Sequence, residues 1–491
     1  MNLEDKDLLS IQETRSLIRQ AKRAQAELGT FSQEQVDTIV KAMAKAAYSN
    51  RVKLAKMAAS ETGIGKWQDK VLKNAFASKT VLEAIKDLKT VGVITRSEAA
   101  KYMEVAVPVG VIAGLVPSTN PTSTAIYKAL IAVKAGNAIV FSPHPSALES
   151  IVETVRIMDE AGQSVGMPAG TLSCINNITL QATDELMKNK DTKLILATGG
   201  NAMVKAAYSS GTPAIGVGPG NGPAFIERTA DIPKAVSLIM ESKTFDYGAI
   251  CASEQSVIVE EVSKEKVMAE FKRQGGYFLP KEDAKKLEAY ILRPDGRMNP
   301  QIVGKPAQVV ADLADITIPP GTRIMLAEET RVGLHAPYSR EKLGPILAFY
   351  TKKTWQEACE LSIEILMQEG AGHTMVIHTE NNAIIEEFAL RKPVSRLLVN
   401  TSGTLGGIGA TTNLFPAMTL GCGAVGGSST SDNIAPQNLF NIRRIAWGVR
   451  ELSDIRGSDI FEETIDETDT QDYDKDKLID LLVARVLEKL K

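Results

Sequence analysis

The sequence predicts an α/β protein built on parallel sheets, and three features predict it. Between Val105 and Val217, short apolar runs alternate with helical periodicity, the mark of βαβ units. A second region of the same kind runs from Phe225 to Asn400. At 491 residues the chain is too long for one simple core, so two or three domains are expected.

Composition narrows the class. Hydrophobic content of 44% and charged content of 23% are those of a soluble globular protein. A net charge of −3 offers nucleic acid no electrostatic attraction. No apolar run reaches membrane-spanning length, and the start, MNLEDKDLLS, lacks the basic and apolar blocks of a signal peptide. The four cysteines are far apart, with no CxxC, so neither a disulfide framework nor a zinc site is expected, and a reducing cytosol fits. The four histidines show no ligand spacing, so no metal is expected.

In chain order, residues 6 to 90 read as helices. Leu8, Ile11, Leu17 and Ile18 recur at helical spacing, as do Val36, Ile39, Val40 and Met43, then Leu54, Met57 and Ala58. Glu61–Gly65 breaks the pattern. This part reads as a layer covering a sheet. Val105–Val116 is strand-like around a Pro108-Val109-Gly110 turn, and a helix follows from Thr124 to Ala135. Ala138–Ser142, Leu172–Ile175, Lys193–Ala197 and Ala214–Val217 are further strands, with a helix at Ala202–Tyr208. Parallel sheets bind ligands at the carboxyl ends of their strands, which is where Asn120, His144 and Thr198-Gly199-Gly200 fall. Gly216–Pro223, GVGPGNGP, is neither GxGxxG nor a P-loop. It reads either as a tight crossing between domains or as backbone passing close to a ligand.

In the second region, Ser256–Val259, Ile324–Ala327, Pro345–Phe349, Met375–His378 and Ser395–Asn400 read as strands. Ser263–Gln274, with Ser263 as N-cap, Lys281–Leu292 and Thr354–Gln368 read as helices. Gly370–Thr374, GAGHT, leads into one strand, and a glycine-rich stretch runs from Gly403 to Gly427. Asp454–Asp476 is acidic and reads as a solvated linker. Lys477–Lys491 reads as an amphipathic helix with Ile479, Leu482, Val483, Val486 and Leu490 on one face.

The chemistry centres on Thr244–Gln255, TFDYGAICASEQ. Cys251 stands between a turn-like Asp246-Tyr247-Gly248 and a strand, with Ser253 and Glu254 beside it as cleft-like neighbours. Taken alone it is either a nucleophile or a small buried apolar residue.

Taken together, FDYGAICASEQ, ATGG at 197–200, VKAAYSSGTPAIGVGPGN at 204–221, GAGHT and TLGCG at 419–423 resemble the aldehyde dehydrogenase superfamily. Within it they resemble the CoA-acylating branch: acetylating acetaldehyde dehydrogenases, including the N-terminal half of bifunctional aldehyde–alcohol dehydrogenases, and CoA-acylating succinate-semialdehyde dehydrogenase. The resemblance covers residues 10–450. It implies an aldehyde dehydrogenase-like fold with helices and a Rossmann-type NAD-binding domain (1–225), an α/β catalytic domain (226–410) and a return and oligomerisation segment (411–450). An acidic linker (451–476) and a terminal helix (477–491) follow.

The resemblance also implies roles. Cys251 matches the nucleophile that adds to an aldehyde. Asn120 matches the amide of the oxyanion hole. Glu341 matches the glutamate on the nicotinamide ribose, and Thr198, Gly199 and Gly200 match the turn beside the pyrophosphate, with Gly218 in the neighbouring glycine segment. His144 stands where hydrolytic members carry a lysine near the adenosine ribose, which leaves NAD against NADP open. Gly216 takes the place of the glutamate that activates water in hydrolytic members. CoA is therefore the expected acyl acceptor, and His373 matches a histidine of the acylating branch that assists CoA or orients the site. Cys422 is read as a packing cysteine near the site, and Cys174 and Cys359 as core. The expected substrate is a short aldehyde, acetaldehyde first, with propionaldehyde, succinate semialdehyde or sulfoacetaldehyde as alternatives. A homodimer or larger is expected. The tail resembles encapsulation peptides of bacterial microcompartment cargo, with docking on shell proteins; the alternative is a helix capping the enzyme's own oligomer. A catalytically silent scaffold is the reading outside the enzyme class, and the presence of Cys251, Asn120 and Glu341 weighs against it.

Overall fold

A computed structural model of the chain describes residues 5–455 and 475–490. The chain divides into a larger compact unit, residues up to 94 with 104–443, and a smaller one, 95–103 with the chain from 444 onward. The larger unit opens with the helices Lys6–Leu28, Gln33–Ser49, Arg51–Thr62 and Trp67–Ala75. Ser32 and Gln35 close a capping box on the second. Gly63 ends the third in the left-handed conformation, φ 63°, inside the expected break.

β1 (Gly92–Ser97) and β2 (Tyr102–Pro108) form a three-stranded sheet with the strand Phe440–Ala446. The turn at Pro108–Gly110 thus separates strands of two different sheets. β3 (Val111–Val116), β4 (Ala138–Pro143), β5 (Leu172–Cys174), β6 (Thr192–Thr198) and β7 (Ala214–Val217) make a parallel sheet in the order β5-β4-β3-β6-β7. The spatial order reverses between β3 and β6, which is the switch point where such sheets hold nucleotides. The helix Pro121–Lys134 is buried along its whole length. Lys128 on it donates to the Leu115 and Leu196 carbonyls, 2.7 Å each, and so ties β3 to β6.

β8 (Pro223–Ile226), β9 (Ser256–Glu260), β10 (Gly276–Phe278), β11 (Ile324–Glu328), β12 (Ile346–Lys352), β13 (Gly372–His378) and β14 (Val394–Val399) make the second parallel sheet. Its order is β10-β11-β12-β9-β8-β13-β14. Each parallel sheet carries its own apolar cores. The α/β class with parallel sheets is therefore as expected.

Several details differ from the sequence reading. Gly276–Phe278 is a strand of only three residues, too short for a period to register. Pro223 opens β8, a position that tolerates its missing N–H. Ser263 makes no side-chain cap to the helix Lys264–Arg273. His373 lies inside β13 rather than before it, because β13 pairs with β14 from Gly372 onward. Ser253 and Glu254, read as cleft neighbours, are buried. Glu254 Oε1 accepts the Gly403 N–H at 2.7 Å, while its Oε2 is buried without a protein partner.

In the smaller unit, Leu452–Ile455 is a short helix, residues 456–474 of the expected linker lie outside the described residues, and the last helix is Lys475–Lys489. No helix among the described residues is long and apolar enough to cross a membrane.

Candidate active site

A cleft of about 940 Å³ runs between the two parallel sheets. From the five-stranded sheet it takes carboxyl-end residues: Asn120 after β3, His144 after β4, Thr198 at the end of β6 with Gly199 and Gly200 after it, and Gly218 after β7. From the seven-stranded sheet it takes residues that precede strands: Cys251 before β9 and Glu341 before β12. Eight of the nine residues expected at the site thus line one cleft. His373 does not line it.

The glycine segment Gly216–Pro223 does both things that its sequence allowed. Gly218 lines the cleft. Gly220 and Gly222 are crossings: an added Cβ would lie 1.9 Å from the Cys251 carbonyl oxygen at the first and 2.5 Å from that of Thr374 at the second. The cleft face around Gly200 is open, since a Cβ there would meet nothing within 4 Å. Gly200 also caps the helix Asn201–Tyr208 without a side chain, so first-turn N–H groups are left for an anion. These features fit the pyrophosphate of a dinucleotide.

Cys251 is half-buried and follows three residues of positive φ, Asp246 (50°), Tyr247 (53°) and Gly248 (74°). Such strain persists only where surrounding contacts impose it. Here they do. The Asp246 carboxylate takes the Lys66 N–H at 2.6 Å, the Lys70 ammonium at 2.9 Å and the Lys73 ammonium. Its own N–H donates to Asp69 at 2.7 Å. Burial pushes the Asp246 carboxyl up, but Lys73 and Lys70 outweigh it and hold the group below the usual carboxylate range. Burial, then the nearby Glu341 carboxyl, push the Cys251 thiol up to about 12.

Asn120 caps the helix Pro121–Lys134, and its Nδ2 donates to the Ala249 carbonyl at 3.1 Å. Glu341 accepts the Gly220 N–H at 2.9 Å, and burial followed by Glu369 raises its carboxyl to about 8. Among the described residues it is the only carboxylate lining the cleft. Thr198 meets Thr419 at 3.3 Å, and the His144 ring accepts from the Ser146 N–H at 3.2 Å. His373 is fully buried, with Nδ1 3.0 Å from the Thr374 hydroxyl and Nε2 without a protein partner. Burial, with Arg396 adding, lowers its pKa to about 3, so the ring is neutral. Cys174, Cys359 and Cys422 are buried and free.

Sequence reading missed Lys70 and Lys73, which it folded into a covering helix, and Arg396, which stands alone in a strand. Arg396 donates to the Gly421 carbonyl at 2.7 Å, the His373 carbonyl at 3.0 Å and the Thr374 hydroxyl at 3.1 Å, and so ties β13 to the segment at Gly421. Lys70 and Lys73 did leave a signal, two cations three residues apart on a helix otherwise rich in apolar residues.

Comparison with known proteins agrees with this geometry. Residues 8–317 match the model of the aldehyde dehydrogenase family. The bifunctional aldehyde-alcohol dehydrogenase AdhE of Escherichia coli (strain K12) is 43% identical over 442 residues, 89% of this chain and 50% of that protein. The chain thus spans about half the length of that curated relative. The crystal structure of a "probable aldehyde dehydrogenase" from Listeria monocytogenes EGD-e is 68% identical with a TM-score of 0.91, covering 92% of this chain and 100% of that one. An acetylating aldehyde dehydrogenase from Geobacillus thermoglucosidasius is 55% identical with a TM-score of 0.90, covering 91% and 99%. With two parallel sheets facing a cysteine-bearing cleft, a family match over most of its length and these likenesses, the chain belongs to the aldehyde dehydrogenase family, and its likeness there runs to acetylating members.

Proposed function

We propose that this protein is a CoA-acylating aldehyde dehydrogenase that converts a short uncharged aldehyde, acetaldehyde first, with NAD⁺ and CoA into acyl-CoA and NADH. The observation that carries the reading is a cleft holding Cys251 and Asn120 whose single carboxylate among the described residues, Glu341, accepts a backbone N–H. Gly216, at the place of a hydrolytic base, donates its N–H to the Tyr208 hydroxyl at 2.9 Å and carries no acid.

Cys251 Sγ adds to the aldehyde carbon, and its proton leaves for solvent. The oxygen that gathers charge takes hydrogen bonds from Asn120 Nδ2 and the Cys251 N–H. When bound, the nicotinamide ring supplies the acceptor for the hydride that leaves this carbon. What remains on Cys251 is a thioester. Water attacks it slowly, because Gly216 carries no base and Glu341, the carboxylate among the described lining residues, is engaged by the Gly220 N–H. A thiol needs less help, since a few per cent is already thiolate near neutral pH. Glu341 and the Gly199–Gly200 turn would hold the dinucleotide, with His144 and Gly218 flanking it. His373, neutral and beside Gly220, assists CoA or orients the site.

The lining also bears on the substrate. Ile250, Ile408, Met418 and Leu420 are apolar, and the one lysine among the described lining residues, Lys305, donates to the Gly63 carbonyl. Arg396 is occupied by carbonyl and hydroxyl oxygens. No free cation among the described lining residues faces an anionic aldehyde, which favours acetaldehyde or propionaldehyde over succinate semialdehyde or sulfoacetaldehyde. The terminal helix, whose Leu481 and Leu487 are 64% and 59% exposed, is read as an encapsulation segment for a microcompartment shell, on a homodimer or larger enzyme.

NADH absorbance tests the catalytic reading. With acetaldehyde and NAD⁺, steady turnover should require CoA, and one NADH per Cys251 should appear without it. Cys251→Ala should abolish both while NAD⁺ still binds. Equal turnover with and without CoA would overturn the acylating reading.

A further inference from the structure

Behind Asn120 lies a buried charge cluster that the mechanism above does not use. Lys73 Nζ donates to Asn120 Oδ1 at 2.5 Å and also to Asp246 Oδ2. Lys70 donates to the same Asp246 oxygen at 2.9 Å and to the Thr119 carbonyl at 3.0 Å. Lys70 and Lys73 are each 2% exposed and Asp246 is fully buried. Neither lysine lines the cleft. We infer that Lys73 is a positioning residue for the oxyanion hole, locking and polarising the Asn120 amide so that Nδ2 presents a donor to the developing negative oxygen.

Three arguments support this inference, which rests on the role given to Asn120 above. First, the amide has only one compatible orientation. An ammonium has donors alone and a carbonyl accepts alone, so Oδ1 must face Lys73 and Nδ2 must face Ala249. A flipped amide would set NH₂ against NH₃⁺ and oxygen against oxygen. The remaining contact of Nδ2, with the Thr119 hydroxyl at 3.2 Å, is to a rotor that can turn away when a stronger acceptor arrives.

Second, the cluster holds more positive charge than a clasp requires. Lys70 alone reaches both Asp246 and the segment before Asn120. A second fully buried lysine leaves two ammonium groups on one fully buried carboxylate, and Asp69 at the rim faces Lys66 at 3.9 Å. An excess cation is costly to bury unless negative charge appears nearby. The oxyanion is such a charge, one amide away. Burial lowers the Lys73 ammonium to about 8 against the opposing pull of Asp246, so it is largely charged at neutral pH.

Third, a fixed cation on the amide oxygen strengthens the N–H at the other end, since linked hydrogen bonds polarise one another. Such preorganised donors act most where charge develops.

The test is a double-mutant cycle on Lys73 and Asn120, read as the single-turnover NADH burst at saturating aldehyde and NAD⁺ without CoA. Lys73→Met should slow the burst about 100-fold, the loss typical of a disabled oxyanion donor, with aldehyde half-saturation changed by less than about threefold. Asn120→Ala should slow it as much. In the Asn120→Ala background, Lys73→Met should cost less than about twofold more, because its only route to the reaction is gone. Lys73→Gln, a neutral donor, should fall between, at about tenfold, and carries the same cycle if the methionine variant does not fold. A burst unchanged by Lys73 substitution in active enzyme, or a loss that persists in the Asn120→Ala background, would overturn the inference and leave a structural clasp. A wild-type protein that makes no NADH from any short aldehyde would instead overturn the proposed function, and this inference with it.

Discussion

Cys251 stands in the cleft as a protonated thiol. Burial and the facing Glu341 raise its pKa to about 12, against the ordinary thiol value of about 8.5. The sign follows directly: at neutral pH the thiolate fraction is smaller than that of a free thiol, and it grows with each added pH unit. Alkylation of Cys251 by iodoacetamide should therefore still be accelerating above about pH 9, where an ordinary thiol is levelling off. A plateau below that would mean that a cation acts on the sulfur. Because a nicotinamide ring carries positive charge, NAD⁺ should speed alkylation at neutral pH. At this scale the sequence was informative about residue types and strand ends. It could not show the state of the thiol, which depends on Glu341 and Cys422 brought in from far along the chain.

At the scale of elements, the helix Trp67–Ala75 inverts the usual pattern. It buries Lys70, Lys73 and Asn74 and leaves Leu72 58% exposed. Periodicity assigns the inside of a helix by apolar residues, so here it points to the wrong face. What reverses the face is one carboxylate, Asp246, on the turn before Cys251. Asp246→Asn should leave two buried ammonium groups without a counter-charge and cost about 3–5 kcal/mol in urea unfolding. The pH dependence has a defined sign. The folded pKa of Asp246 lies below its unfolded value, so its stabilisation is complete above the unfolded pKa of about 4 and is lost as pH falls through the folded value. The asparagine variant should lack that share of acid sensitivity. An unfolding free energy within about 0.5 kcal/mol of wild type would show that the lysines find other partners.

At the scale of the whole molecule, the two sheets contribute opposite edges. The five-stranded sheet offers carboxyl ends, as the alternation of strands and helices led one to expect. The seven-stranded sheet offers amino ends, with Cys251 and Glu341 just before β9 and β12. The rule that ligands gather at carboxyl ends therefore finds half of the cleft. The terminal helix belongs to this scale too. A reporter fused to residues 454–491 should co-purify with shell proteins, whereas a reporter that stays diffuse in cells making shells would count against the encapsulation reading.

Alternating apolar runs and helices determined the α/β class and the parallel sheets, because strand and helix periods are written locally. The same locality made Asn120, His144 and the Thr198–Gly200 turn legible as residues at strand ends, and marked Cys251 by its unusual surroundings. Only the tertiary structure decided that Cys251 and Asn120 share one cleft, that Gly220 must be glycine to pass the Cys251 carbonyl, and that Lys73 reaches both Asp246 and Asn120. The reason is physical. A buried charge is tolerable only beside its partner, and the partner of Lys73 lies 173 residues further along the chain, beyond any local pattern.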